Sequence, residues 1–596
     1  MKRLFTAFLL CIGACSIGLA DSSKLAPDLQ GIDPNSSVRV IVQYAQPPVA
    51  NSSQSLSLLG GLPILGTVVD NIPIVNGVVN LVFNVLRAVV YTLPASELHN
   101  LANDSNVTYI SPDRSLAARL DYSAAAVNAS AAWRSNRNGL GIGVAVIDSG
   151  IAATPDLRTL GILSRVVYTQ DFVGGQGSDQ YGHGTHVAGI IGANGISSSC
   201  FGCKRSLVGI APGASLINLR VLDARGQGSD SAVIFAIERA IALKKQYNIR
   251  VINLSLGRPI FESYTLDPLC QAVEAAWKAG IVVVAAAGND GRDNSVGNDG
   301  YGTIEAPGND PYVITVGAMK AMNTYTRNDD LIASYSSKGP SAIDHVVKPD
   351  IVAPGNHVVS LLAPGSALAQ DSQNAVPLSY YKSTSSSTQS STFVMLNGTS
   401  MATPVVSGAV ADLLQQHPTL TPDQVKARLM KSAYKNFPAS STAVDPVSGQ
   451  TFVSQYDIMT VGAGYLDIAA ALGNSDLATG TALSPTARYD TVSGKVYLVY
   501  DPSSTWQDTD LSSVTDPGSI PTTWSTQTVW GSSIVGPDRA VWGTQAVWGT
   551  NSVSGFQAVW GTRGVWGTRG VWGTRGVWGT DASTSDSDTN FAADPR

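Results

Sequence analysis

Three short segments hold side chains able to do chemistry together: Val-Ile-Asp148-Ser-Gly, Gly-His183-Gly-Thr-His-Val-Ala-Gly and Asn-Gly-Thr-Ser400-Met-Ala-Thr-Pro. They supply a carboxylate, an imidazole and a hydroxyl, each among small residues that let backbone and substrate approach closely. A serine hydroxyl is a weak nucleophile at neutral pH. It needs a base within hydrogen-bond reach, and the base needs a third group to fix its tautomer and stabilise its charged form. Ser400 would attack, His183 would shuttle the proton and Asp148 would orient His183. The oxyanion formed on attack needs preorganised donors: the apolar run Val-Val-Val-Ala-Ala-Ala-Gly288-Asn289 ends in the amide of Asn289, and the Ser400 N–H is a second donor. Taken singly, each residue has a plainer use: Asp148 in a cap or turn, a histidine in the structure, Ser400 as a helix N-cap. Their joint occurrence in this order carries the inference. His186, on the helix that begins near His183, is expected to pack or to make a structural hydrogen bond.

The order Asp, His, Ser separates this arrangement from others that build the same triad. Chymotrypsin-like chains run His, Asp, Ser; α/β-hydrolases run Ser, Asp, His with a Gly-x-Ser-x-Gly elbow that is absent around Ser400. Over roughly 120–475 the chain resembles the subtilisin-like serine peptidases, the subtilase family. The resemblance implies that substrate adds as an extended strand between Gly226-Gln-Gly228 and Ser255-Leu-Gly257, with pockets that take alternate side chains. It places Leu256, Gly257, Ala286 and Gly288 around the primary specificity pocket, where small residues leave room for a large side chain. The pocket floor falls on Thr303-Ile-Glu305-Ala-Pro307, where a small neutral residue is expected. Two readings of Glu305 stand: a carboxylate placed to pair with a Lys or Arg head, or a side chain that points to solvent or pairs internally. Asp156 matches a position that binds calcium in many relatives, yet the loop that would complete the site is replaced by the Cys200 and Cys203 segment. Structural calcium therefore stays open, and the chemistry itself calls for no cofactor.

The elements that must position these residues are legible in the apolar runs. From Gly141 onward, short apolar stretches ending at Ile147, Leu222, Leu254 and Ala287 alternate with helical ones near His183, over 232–245 and over 272–279. That alternation predicts an α/β fold: a mostly parallel twisted sheet covered by helices, with its site at the strand carboxyl ends, where Asp148 and Asn289 fall. Ser400 opens a helix carrying Val405, Val406, Ala409, Val410, Leu413 and Leu414, so its hydroxyl sits at a helix N-terminus, favourable for developing negative charge. Pro404 is expected in the first turn, where a missing N–H is tolerated.

Upstream, strand-like segments from Val38, Arg87 and Val107 flank a short helix and make a small α+β unit over 21–120. Its position and pattern resemble the inhibitory pro-domain of many subtilases, implying a folding chaperone that blocks the cleft until self-cleavage between Arg114 and Ala126. Within it, Leu56 to Val85 is nearly charge-free, but its Gly, Pro and Asn residues break any spanning helix, so it is expected to form an enlarged apolar insert.

A formal net charge of -6 with 38 Lys and Arg leaves no basic footprint for nucleic acid. Lys2 and Arg3, then a charge-free apolar run to Gly-Leu-Ala20, have the pattern of a secretory signal over 1–20, with lipidation at Cys15 as the alternative. Cys200 and Cys203 suit a local disulfide better than a zinc site, and Cys270 a buried thiol. The peptidase region is expected over 121–475 and a C-terminal region over 476–596. There a hexapeptide register runs through Val529, Val535, Val541, Val547, Val553, Val559, Val565, Val571 and Val577, most followed by Trp-Gly. An even period places every Trp on one face of an extended chain. An aromatic stripe for glycans, a surface or itself, a slippage-expanded tail, and a small β module all remain open. The leading expectation is a secreted, monomeric serine endopeptidase that acts on proteins or peptides and is made as a zymogen inhibited by its own pro-domain. The alternative is an adhesive surface protein whose peptidase fold serves only self-maturation.

Overall fold

The computed structural model describes residues 22–499 apart from 27–28, 31, 47–48, 52–67, 71–77, 84–86, 113–118, 160–161, 175–176, 201, 296, 385, 446–448, 476–479 and 491–494. The expected signal segment, most of the apolar insert, part of the maturation stretch and the Trp repeat lie outside the described residues. The chain divides into two compact units, 1–117 and 118–596.

In the first unit, strands Ser37–Tyr44, Val78–Phe83, Ala88–Pro94 and Val107–Pro112 form an antiparallel sheet in which Ser37–Tyr44 lies between the third and the fourth. Alternation along the first strand buries Val40, Val42 and Tyr44 against Leu98, Leu101 and Ala102 of helix Leu98–Ala102. The Tyr44 and Tyr91 hydroxyls close the core with a 2.7 Å hydrogen bond. Part of the apolar insert thus supplies an edge strand, Val78–Phe83.

The second unit is built on one eight-stranded sheet. Its strands are β1 (Gly143–Asp148), β2 (Val166–Asp171), β3 (Ser215–Arg220), β4 (Ile249–Leu254), β5 (Val282–Ala286), β6 (Ile314–Lys320), β7 (Leu331–Ile332) and β8 (Ile351–Asn356). The order is β2-β3-β1-β4-β5-β6-β7, with β8 also on β6, and every pairing is parallel except that of the two-residue β7. From β1 the chain runs to the edge strand β2, comes back through β3, which inserts between β2 and β1, and then crosses to continue on the other side with β4. This makes β1 the switch point, and the crevice at its carboxyl end is where such sheets hold their chemistry.

Strands β1 and β5 are apolar at consecutive positions because both faces are covered; Val144 to Ile147 and Val282 to Ala285 are all buried. The cover comes from α1 (His183–Gly192) packed with α4 (Thr399–Gln416), and from α2 (Asp230–Tyr247) packed with α3 (Pro268–Lys278). Ordinary caps start the second pair: Ser229 Oγ accepts from Ala232 N, and the Asp267 carboxylate accepts from Leu269 N. The body runs beyond the expected boundary at 475. Asp350 is buried between Lys348 (2.7 Å) and Lys426 (3.2 Å), and its carboxylate also accepts from Thr315 N at 2.8 Å and from Ser484 Oγ at 2.6 Å. The Ser484 segment is fastened on either side, by Val347 N to Pro485 O and Ala487 N to His345 O, both 2.8 Å.

Helix α4 is buried from Thr399 to Leu414, including Asp412, whose two carboxyl oxygens have no hydrogen-bond partner among the described residues. Burial pushes the Asp412 pKa well above the usual carboxylate range. The folded state keeps a proton that the unfolded chain gives up near pH 4, so stability falls as pH rises from about 4 toward the folded pKa. Asp412→Asn, which cannot ionise, should raise the thermal midpoint by about 2–5 °C at pH 8 and much less at pH 4, measured by scanning fluorimetry on protein blocked at its serine. Equal shifts at both pH values would show that Asp412 does not titrate on unfolding.

Candidate active site

Asp148 ends β1 and His183 opens α1, and the fold brings them into direct contact. His183 Nδ1 lies 2.8 and 3.0 Å from the two Asp148 carboxylate oxygens, and both side chains are fully buried. Burial alone would lower the His183 pKa; the charge and hydrogen bond of Asp148, with the charge of Asp179, outweigh it and hold the imidazole above its ordinary value. His183 Nε2 has no hydrogen-bond partner among the described residues, which leaves it free to take a proton. His186 behaves as expected of a packing residue. Its Nε2 donates to Val358 O at 3.0 Å, and burial, with the His183 charge, pushes its pKa down to about 3, so it stays neutral.

Two residues that the motifs did not single out hold this pair in place. Asp179 accepts from Gly182 N (2.7 Å), Thr185 N (2.8 Å), Thr185 Oγ1 (2.6 Å) and Ser149 Oγ (2.8 Å), and Ser149 Oγ in turn accepts from Gly184 N (2.8 Å). A buried carboxylate thereby receives the free N–H groups of the first turn of α1, which otherwise has no side-chain cap. Arg220, 1 % exposed at the end of β3, donates to Ser149 O (3.1 Å), Asp171 (2.7 Å) and Gln180 Oε1 (3.0 Å), tying together the loops on both sides of Asp148. Asp179 lies four residues before His183 in Asp-Gln-Tyr-Gly-His, and that local acceptor was the available signal.

Ser400 is the second residue of α4, whose N-cap Gly398 has φ 145° and ψ 160°, a backbone region that only glycine occupies readily. Pro404 is the sixth residue of the helix, not a first-turn residue. Lacking an N–H, it leaves the Ser400 carbonyl without the helical donor four residues on. Ser255 supplies that donor: its hydroxyl reaches Ser400 O at 2.8 Å and accepts from Asn253 Nδ2 at 2.9 Å, while Ser407 Oγ donates to Asn253 Oδ1 at 2.8 Å. Asn289 is aimed by the same turn. Its Oδ1 accepts from Thr399 N (2.9 Å) and Thr399 Oγ1 (3.2 Å), which leaves Nδ2 unused among the described residues, and a Cβ on Gly398 would lie 3.6 Å from both Asn289 Nδ2 and Ser400 N. Two donors thus converge beside Gly398, whose backbone conformation, not a lack of space, calls for glycine.

Of the segments expected to hold substrate, Gly226 closes a turn at φ 74° against the Tyr181 ring, and Gly228 lies exposed beyond it. Ser255, Leu256 and Gly257 continue past the end of β4 outside any strand. Glu305 bridges the two walls. Its N–H donates to Ala287 O at 3.0 Å, and Ala306 exchanges both backbone bonds with Arg258 at 2.8 and 2.9 Å. The side chain is 5 % exposed, so it does not point to solvent, and no hydrogen bond or ion pair reaches it among the described residues, so it is not paired internally. The space that Gly257 and Gly288 were expected to leave for substrate is filled from below. A Cβ on Gly257 would overlap Glu305 Oε2, and one on Gly288 would lie 2.8 Å from Glu305 Cγ.

Residues 139–456, just over half of the chain, match the model of the subtilase family. The chain belongs to the subtilase family. Among its relatives are the serine protease AprX of Bacillus subtilis, 38 % identical over 59 % of this chain and 75 % of its own, and subtilisin E of the same organism, 34 % identical over 59 % and 76 %. Subtilisin DY of Bacillus licheniformis is 35 % identical over 50 % of this chain and 84 % of its own. This subtilase is a serine-type endopeptidase, and proteins are its substrates.

At the position where relatives bind calcium, the residues of this subtilase do not fit the ion. The Asp156 carboxylate accepts from Ser197 N (3.2 Å) and Ser197 Oγ. The Arg165 guanidinium donates to the carbonyls of Asp156 (2.8 Å), Gly192 and Ala214 (3.1 Å), a fixed cation on oxygens from three segments that meet there. The loop itself is closed by the Cys200–Cys203 disulfide, and Cys270 is a buried free thiol.

Excess EGTA is expected to move the melting temperature by no more than about 1 °C, whereas loss of a tightly held ion would remove about 3–4 kcal/mol; a drop of several degrees would restore a calcium site. Ser255→Ala strands a buried carbonyl behind the nucleophile, at a cost of about 1–3 kcal/mol. It should lower kcat about tenfold with little change in KM. A lower melting temperature with unchanged kcat would confine Ser255 to folding.

Proposed function

We propose that this subtilase is a secreted endopeptidase, made as an auto-processed zymogen, that cleaves peptide bonds through Asp148, His183 and Ser400 and needs no cofactor. The observation that carries the mechanism is the His183 ring itself: one nitrogen is fixed by Asp148 and the other has no partner among the described residues. Ser400 Oγ bonds to the substrate carbonyl carbon as its proton passes to His183 Nε2. The same proton goes to the leaving amine as the C–N bond breaks. Water then attacks the acyl-enzyme, giving a proton to His183, and that proton returns to Ser400 Oγ as the ester C–O bond breaks. Asn289 Nδ2 and Ser400 N hold the oxyanion in both steps.

Secretion rests on the charged-then-apolar start of the chain, and zymogen processing on the separate compact unit at 1–117, the proposed intramolecular inhibitor. The acidic balance gives nucleic acid no footprint, and the enzyme is proposed to act as a monomer. The Trp repeat favours an added contact with a cell surface or glycan. An adhesive role with proteolysis limited to self-maturation is the competing reading.

Ser400→Ala tests both. The proposal expects the variant to stay full length and leave casein intact, while wild-type protein matures and digests casein until a serine-directed inhibitor is added. Wild-type protein that removes its own N-terminal unit and digests nothing else would overturn the proposal in favour of the adhesive reading.

A further inference from the structure

We infer that Glu305 makes this subtilase select a basic residue at P1, its carboxyl group meeting the Lys or Arg head between Gly257 and Gly288. The inference rests on the peptidase reading above and deepens it.

Three observations converge. The first is position. The Glu305 backbone is fastened to both walls that frame the expected primary pocket, through Ala287 on one side and the Ala306–Arg258 pair on the other, which fixes where its side chain starts. The second is direction. Its Cγ lies against Gly288 and Oε2 against Gly257, the residues whose missing side chains open the pocket. The third is the want of a partner. The residue is 5 % exposed, and its oxygens make no hydrogen bond or ion pair among the described residues, although they are not among the fully enclosed unpaired atoms.

Nearby cations are already engaged. Arg258, the closest in sequence to the pocket wall, binds Asp230 at 2.9 Å and Asp267 at 2.8 Å, and Lys338 Nζ donates to Asp299 O at 2.8 Å. Among the described residues no cation compensates the Glu305 acid. Burial, with the charge of Asp290, pushes its pKa well above the usual range.

Each class of P1 side chain meets that acid differently. An aromatic ring would cap the carboxyl group without a hydrogen bond, leaving a buried polar group unsatisfied. An acidic side chain would add a like charge. A Lys or Arg chain lines the apolar walls with its stem and delivers a donor to the unused oxygens, the one arrangement that leaves nothing unpaired.

The test is kcat/KM for four peptides that differ only at P1, carrying Arg, Lys, Phe or Ala, with wild-type enzyme, Glu305→Gln and Glu305→Ala. Expected is a wild-type preference for Arg or Lys over Phe of at least about a hundredfold, falling about tenfold or more in Glu305→Gln, which keeps the shape, while cleavage after Ala persists. Glu305→Ala should gain activity toward Phe. Wild-type preference for Phe, or a preference for Ala that Glu305→Gln leaves unchanged, overturns the inference and makes Glu305 a space-filling floor. No cleavage of any peptide, with casein also intact, overturns the peptidase reading and this inference with it.

Discussion

The constraint on which the site depends is that Asp148 and His183 meet where water does not reach. A carboxylate and an imidazole with fully buried side chains must draw every hydrogen bond from the protein, and the chain answers in layers. Asp148 accepts from the Ser149 N–H at 2.7 Å as well as from His183, while its carbonyl, at the end of β1, accepts from Val221 N at 2.8 Å. Behind Ser149 stands Asp179, and behind the loop of Ser149 stands Arg220. Each layer fixes the orientation of the one before it, so the ring nitrogen that must move a proton inherits its position from the parallel sheet.

The nucleophile is set by a different device. In most helices a proline at the sixth position would only weaken the second turn. Here the gap it leaves falls on the carbonyl of Ser400, and a hydroxyl from the end of β4 fills it. The line Ser407, Asn253, Ser255, Ser400 thus connects helix α4 to the strand whose continuation, Ser255 to Gly257, is proposed to border the substrate. A shift of that border must move the nucleophile with it, which ties binding of the peptide to placement of the attacking group.

The parallel sheet and the places of Asp148, His183, Ser400 and Asn289 were legible because apolar runs and motif order are local signals. Arg220 was not, since a buried base carries no mark in the sequence of the partners it will find, and Asp179 offered only an acceptor four residues before His183. Pro404 was misplaced by the unknown helix start: once Gly398 proves to be the cap, the proline moves from a harmless position to one that demands Ser255. The surroundings of Asp156 were hidden for a related reason. Asp156 keeps its type while Arg165, nine residues on, takes over the carbonyls around it, and only the fold brings Arg165 there. The Ser484 segment was assigned to the tail by composition, although its hydroxyl answers a charge cluster far away in sequence.

Glu305 shows how conflict between levels points to function. A buried carboxyl group without a partner costs folding free energy, and a neutral small residue at the same floor would avoid that cost. Asp412 presents the same kind of conflict inside α4, but there the group lies in the helix core and its oxygens are sealed. At Glu305 the oxygens stay open, and the backbone is anchored on both pocket walls. An acid held rigidly beside an opening is costly only until a cation enters. The two unpaired acids are thus chemically alike and differ in access, and access gives Glu305 a route to a ligand that Asp412 lacks.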